Sequence, residues 1–200
     1  MFAHKNGTVP IFNFGLIFSR IAFDGARTPL KTTLFVLVCL AWILPGLVGH
    51  DPWKSDEAIV FGVVVEMLRS GDWTVLRIAG DPYFEKAPLY LWTAALCAKA
   101  FGALVPAHDA ARLASGLFMA ATLALLSGTS RELLGERATR VSVLLLIGCL
   151  GLLIRAHEMS SDLAGLTGIA LGLYGLAVAT RRPHWGGAAT GLGKIGRAHV

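Results

Sequence analysis

Residues 32–49 read TTLFVLVCLAWILPGLVG, eighteen positions without a charge. At 1.5 Å per residue, a helix of that length covers about 27 Å, close to the hydrocarbon thickness of a bilayer. Two more uncharged runs of 18 residues follow, at 113–130 and 163–180. A fourth run, 141–154, has 14 residues and reaches spanning length by tilt and by snorkelling of Arg140 and Arg155. Residues 87–98 are apolar for 12 positions until Lys99 interrupts them. That length suits an in-plane or re-entrant helix.

The composition agrees with a membrane chain. Of 200 residues, 54% are hydrophobic and only 16% charged, and the mean hydropathy is +0.62. A soluble domain carries about 25% charged residues. Disorder is excluded, because too much apolar surface would stay exposed. Nucleic acid is excluded as a partner, because the net charge of +5 forms no basic stripe interleaved with aromatics. Cys39, Cys97 and Cys149 all lie in apolar runs and read as small hydrophobes rather than a disulfide framework.

Loop charges set an expected orientation. Lys5, Arg20, Arg27 and Lys31 outweigh Asp24 before the first run, which places the N-terminal segment, residues 1–31, in the cytoplasm. Residues 11–23 are too short to cross and read as an interfacial helix. The loop 50–86 holds seven acids against four bases and faces outward. Arg131, Arg137 and Arg140, and later Arg181 and Arg182, mark cytoplasmic loops; residues 155–162 then fall outside. An odd number of crossings must join the outer loop 50–86 to the inner loop 130–140. The run 113–130 supplies one, so 88–104 is read as juxtamembrane or re-entrant.

The C-terminal heptapeptide, residues 194–200, reads as a translated sequencing adapter. The apolar run 185–193 is cut off after nine residues, where a span needs about 20. Residues 32–193 are therefore expected to be the N-terminal part of a longer transmembrane domain. The Gly191, Gly193, Gly196 pattern follows no strand and is not a dinucleotide site.

Two acidic clusters share the outer face in this topology: Lys54-Ser55-Asp56-Glu57 after the first run, and His157-Glu158-Met159-Ser160-Ser161-Asp162 before the run at 163. Paired carboxylates can deprotonate an acceptor or hold a divalent cation. A third element, Gly80-Asp81-Pro82-Tyr83-Phe84-Glu85-Lys86-Ala87-Pro88-Leu89-Tyr90, brackets a charged pair with prolines and aromatics. Lys86 there suits an anionic head group, and Glu85 could orient it or ligate a metal. Residues 56–69 show helical spacing of Ile59, Val60, Val63, Val64, Met67 and Leu68, with Gly71 as the stop. Asp56 sits at that helix's N-terminus, where the macrodipole favours its ionised form.

From about Lys31 to Gly193 these elements resemble the membrane-embedded lipid-linked-sugar glycosyltransferases, the family of the lipid A aminoarabinose transferase and the protein O-mannosyltransferases. The resemblance rests on Asp56-Glu57-Ala58, Leu68-Arg69-Ser70-Gly71-Asp72-Trp73, Pro82-Tyr83-Phe84-Glu85-Lys86-Ala87-Pro88-Leu89-Tyr90, Ala111-Arg112-Leu113, Leu134-Gly135-Glu136-Arg137 and Met159-Ser160-Ser161-Asp162, in that order. Ile59 stands where the aminoarabinose enzymes carry an Arg, which counts against a lipid A aminoarabinose activity. Ala87 stands where many relatives have a proline.

The resemblance implies an all-α, GT-C-like polytopic membrane protein with an outer juxtamembrane helical loop after the first span. It implies a multi-pass protein of the bacterial inner membrane that transfers a sugar from a polyprenyl-phosphate donor to a lipid, glycan or protein acceptor on the periplasmic side. Asp56 and Asp162 match the family's acidic positions and are the expected catalytic residues. Lys86, Glu57 and Tyr83 are the expected substrate contacts. Glu85 matches a residue tied to metal binding, so a divalent metal ion is the one cofactor the chemistry admits. Membrane lipids are the other partners. The rival class is a transporter or a non-catalytic membrane subunit, which would place ionisable residues in mid-span.

The orientation has a direct test. In a Cys-free background, single cysteines at Ser70 and Ser161 should react with a membrane-impermeant thiol reagent from outside, and one at Ser130 should not. Labelling at Ser130 alone would invert the topology.

Overall fold

The computed structural model describes residues 29–195. The interfacial helix expected at 11–23, and residues 196–200 of the adapter-like tail, lie outside that range. In chain order the elements are α1 (Pro29–Ile43), α2 (Ser55–Ser70), β1 (Arg77–Ile78), β2 (Asp81–Pro82), α3 (Pro88–Phe101), α4 (Ala107–Leu134), α5 (Glu136–Ile147), α6 (Leu150–Arg155), α7 (Asp162–Ala179) and α8 (Pro183–Ile195).

The first apolar run is not one helix. α1 stops at Ile43 because Pro45 has no N–H to give the next turn and Gly46 takes φ +87°. The irregular stretch that follows packs inward. Leu47 is 2% exposed and lies over Gly116 of α4, where an added Cβ would come within 2.6 Å of Leu47 Cδ1. The run 141–154 is also interrupted: α5 and α6 are separated by Gly148 and Cys149. By contrast α4, with 28 residues, exceeds the expected 113–130 at both ends and is about 42 Å long.

α2 forms as its spacing predicts. Val60, Val63, Val64 and Met67 are buried on one face, and Gly71 closes the helix with φ +71° and its N–H on Met67 O at 3.0 Å. Asp72 then accepts hydrogen bonds from the Thr74 and Val75 amides at 2.9 and 3.2 Å. Those two amides hold its carboxyl below the usual carboxylate range. A two-residue hairpin follows, pairing Arg77 with Pro82 and Ile78 with Asp81. Its turn residues, Ala79 and Gly80, both have positive φ, the geometry that matches strand twist. Among the described residues this hairpin is the only strand structure, and the sequence reading contains no strand here.

α3 buries Tyr90, Leu91, Ala94, Ala95, Cys97 and Ala98 against α2 and α4. Its 14 residues, about 21 Å, fall short of a full crossing. Trp92 Nε1 donates to Trp73 O at 2.9 Å and ties α3 to the loop after α2. A second core joins α1, α4, α5 and α7 through Ile43, Leu47, Met119, Leu123, Val143 and Leu163. Among the described residues, α4 and α7 are long and apolar enough to cross a membrane, and Leu30–Ile43 is a shorter apolar helix. α4 and α7 are pinned together by Thr122 and Thr167, whose hydroxyls lie 2.8 Å apart.

α7 and α8 approach through glycines. A Cβ on Gly175 would fall 2.6 Å from Thr190 N, and one on Gly193 2.7 Å from Gly172 N. The backbone of Gly168 and Gly172, a Gly-x-x-x-Gly pair, lies against Gly193 at this interface, whereas a Cβ on Gly187 or Gly191 would meet nothing within 4 Å.

Gly175→Ala should therefore cost about 1–3 kcal/mol through overpacking against backbone. Gly187→Ala should be neutral or slightly stabilising, since it meets nothing and removes a helical glycine. Thermal unfolding in detergent compares the two. For the labelling test above, Ser161 and Ser130 are only 8% and 5% exposed. Ser70 and the 71% exposed Leu134 are the informative positions.

Candidate active site

The site is built on a buried ionic junction. Arg112, at the second turn of α4, is 0% exposed, Glu57 of α2 is 1% and Asp109 of α4 is 2%. Arg112 Nε donates to Glu57 Oε1 at 2.9 Å, and Nη1 donates to Asp109 Oδ1 at 2.7 Å. Asp109 Oδ2 accepts the Gly49 amide at 3.0 Å. The Met159 amide donates to Glu57 Oε1 at 3.2 Å. One guanidinium and two carboxylates thus join the end of the first loop, α2, α4 and the loop before α7. Glu57, one of the expected substrate contacts, is buried and bonded to Arg112 and to the Met159 amide, which ties its neighbour Asp56 to the second acidic loop.

That second loop, residues 156–161, is held from three more sides. Ser115 Oγ donates to Glu158 O at 2.7 Å, so the Tyr90 hydroxyl, 2.6 Å from Ser115 Oγ, donates to it in turn. The His157 ring lies between two carbonyls, Nδ1 at 2.7 Å from Leu153 O and Nε2 at 2.8 Å from Trp42 O. It also packs on Gly46, the residue that ends the first apolar run.

With both loops fixed, the two acidic clusters meet. Lys86 Nζ lies 3.8 Å from Asp162 Oδ1, and Arg155 Nη1 lies 3.7 Å from Asp56 Oδ2 and 3.9 Å from Glu158 Oε2. Lys54 pairs with Glu158 and stacks over the Trp53 ring. Asp56, Tyr83, Glu85, Lys86 and Ser160 line one pocket of about 40 Å³, with Ile59 and Met159 among its apolar walls. That volume holds water but not a sugar phosphate, which needs a site of several hundred Å³. Burial, then the charges of Glu85 and Asp56, push the Tyr83 phenol up, so it stays a hydrogen-bond donor at neutral pH.

Of the residues singled out from sequence, Asp56, Tyr83, Glu85 and Lys86 share this pocket. Asp162 joins it through Lys86; Glu57 lies beneath it. Among the described residues, no three His, Cys, Asp or Glu side chains gather as a metal cage requires. Among the described residues, the donor set around Glu85 does not by itself fit a metal ion. The sequence assigns no catalytic or binding role to Arg112, Asp109, Lys54 or Arg155. A signal existed for the first pair: Asp109 and Arg112 stand three apart, on one helix face, immediately before an uncharged run.

The chain is similar to known proteins. Residues 85–196 match the family model for dolichyl-phosphate-mannose-protein mannosyltransferase. The chain is 36% identical over 114 residues to the undecaprenyl phosphate-alpha-4-amino-4-deoxy-L-arabinose arabinosyl transferase of Edwardsiella ictaluri, covering 56% of this chain and 20% of that protein. It is 39% identical over 69 residues to the protein of the same name from Pseudomonas savastanoi pv. phaseolicola, covering 34% of this chain and 13% of that one. The crystal structure of ArnT from Cupriavidus metallidurans bound to undecaprenyl phosphate superposes with a TM-score of 0.73 at 25% identity, covering 85% of this chain and 32% of that chain. The apo form gives 0.72 at 25% identity, with 82% and 32% covered. The chain thus spans a fifth or less of these curated relatives and about a third of the solved ArnT chain. The fold is the all-α, polytopic membrane fold of ArnT, of the GT-C type. With residues 85–196, more than half of its length, inside that family model, the chain belongs to the dolichyl-phosphate-mannose-protein mannosyltransferase family.

Proposed function

We propose that this chain forms the donor-site part of a glycosyltransferase that moves a sugar from a polyprenyl-phosphate donor to a lipid, glycan or protein acceptor. We place the protein in the bacterial inner membrane, with its N-terminus cytoplasmic and its site on the periplasmic face. The observation that carries the reading is the meeting of Asp56 and Lys86 at one pocket, with Asp162, from a third segment, paired to Lys86. The arabinosyl transferase relatives and the undecaprenyl-phosphate-bound ArnT support the donor class.

The chemistry is nucleophilic substitution at the anomeric carbon. The bond from that carbon to the phosphate oxygen breaks, and the acceptor atom takes its place. Asp56 is the most exposed acid in reach of the pocket that is also rigidly based, since the next residue is anchored in the buried junction. It accepts the acceptor's proton, or orients an acceptor that is already anionic. Lys86 and the Tyr83 hydroxyl present donors to the departing polyprenyl phosphate, where negative charge grows. Asp162, paired with Lys86 while the site is empty, keeps that ammonium pointed at the pocket. A transporter would need ionisable residues in mid-span, and the runs 113–130 and 163–180 have none.

In an active preparation, Asp56→Asn should lower turnover by roughly 10²–10⁴ with the fold retained, the range for general-base work. Lys86→Ala should mainly raise the KM for the donor, because it removes a charge-assisted contact to phosphate. Transfer of labelled sugar from polyprenyl phosphate in proteoliposomes measures both. Near-normal turnover in Asp56→Asn would reduce Asp56 to a helix-terminal charge.

A further inference from the structure

Three acids and three bases meet where the two outer loops join, and they are not equally held. Glu158, whose side chain is 7% exposed, is paired with Lys54 as well as Arg155. It keeps a partner if Arg155 leaves. Asp56 has a side chain 67% exposed, so water replaces whatever departs from it. Arg155 is itself half exposed. Its contacts at 3.7 and 3.9 Å are ion pairs beyond hydrogen-bond reach, and among the described residues its guanidinium makes no hydrogen bond.

The pocket beside it is too small for a sugar phosphate, so side chains at its rim must move for a donor to enter. Lys86 is one cation there. Arg155, at the end of α6, does not line the pocket but reaches Asp56, which does, from the opposite loop. A guanidinium fork matches a phosphate's oxygens in a bidentate geometry that neither of its present contacts attains.

We propose that Arg155 is a second phosphate-binding side chain, which rests on Asp56 while the site is empty and transfers to the donor's phosphate on binding. The inference rests on the reading of the Lys86 pocket as the donor-phosphate site. Its consequence is a gate. The Asp56 carboxylate is paired until the donor arrives and is released to the acceptor only then. The exchange trades one exposed ion pair for a better one and leaves no buried charge unpaired, since Glu158 retains Lys54.

The test is binding of undecaprenyl phosphate, without sugar, to the purified full-length protein in detergent, read by tryptophan fluorescence or thermophoresis. Arg155→Gln should raise the Kd by about tenfold or more, the loss of one charge-assisted contact. Arg155→Lys should recover part of it. Asp56→Asn removes the competing partner, so it should tighten binding in the presence of Arg155 and have a much smaller effect in the Arg155→Gln background. If Lys86→Ala weakens binding but Arg155→Gln does not, the inference is overturned and the donor site stands. If neither does, the donor site itself is wrong. If Asp56→Asn tightens binding equally in both backgrounds, the gate is refuted.

Discussion

A guanidinium shut off from water, that of Arg112, meets the carboxylates of Glu57 and Asp109, and the arrangement of the site follows from that contact. Burying such charges is costly, and the cost is recovered only where each is paired and hydrogen-bonded. Here the pairing partners come from α2 and α4, the Gly49 and Met159 amides donate to the carboxylates, and Leu47 O accepts from Arg112 Nη1, while among the described residues Glu57 Oε2 and Arg112 Nη2 have no hydrogen-bond partner. Removing Arg112 leaves two buried carboxylates without a counter-charge, a loss that typically costs about 3–5 kcal/mol. Four segments far apart in sequence therefore depend on a single set of charges.

The pairs at the surface of the site belong to a different energy class. Lys86 with Asp162 and Arg155 with Asp56 are separated by 3.8 and 3.7 Å and are largely exposed. Such pairs contribute about 0–1 kcal/mol. They cannot hold loops together, but they can exchange partners when an anion arrives. The division is between a rigid buried junction that sets where the acids stand and loose surface pairs that a phosphate can replace. A preorganised base with mobile cations around it is what a displacement at an anomeric carbon requires.

Much of this was legible in the sequence, for reasons particular residues make plain. The spacing of Val60, Val63, Val64 and Met67, with Gly71 behind them, specifies α2 through a local pattern that tertiary contacts then reinforce. The uncharged runs at 113–130 and 163–180 mark α4 and α7 because length and apolarity decide such helices. The ordered motifs led to Asp56, Lys86 and Tyr83 sharing a pocket. Hydropathy alone could not show where the first run breaks, since Pro45 and Gly46 are apolar and simply continue it. Nor could it separate Asp56 from Glu57. The two are adjacent acids, and only the helix's packing turns one to the open pocket and the other onto Arg112. Arg155 read as a charge at a span's end because its partner lies about a hundred residues away in sequence.

The central claim, that the Glu57–Arg112 pair couples α2 to the second acidic loop, is tested most directly by a double-mutant cycle. Glu57→Gln and Arg112→Met, singly and together, are compared by unfolding in mixed micelles titrated with sodium dodecyl sulfate. The account predicts that Arg112→Met alone costs about 3–5 kcal/mol and that the double change costs well under the sum of the two single losses, because it strands Asp109 alone rather than both carboxylates. Two small and additive losses would contradict it.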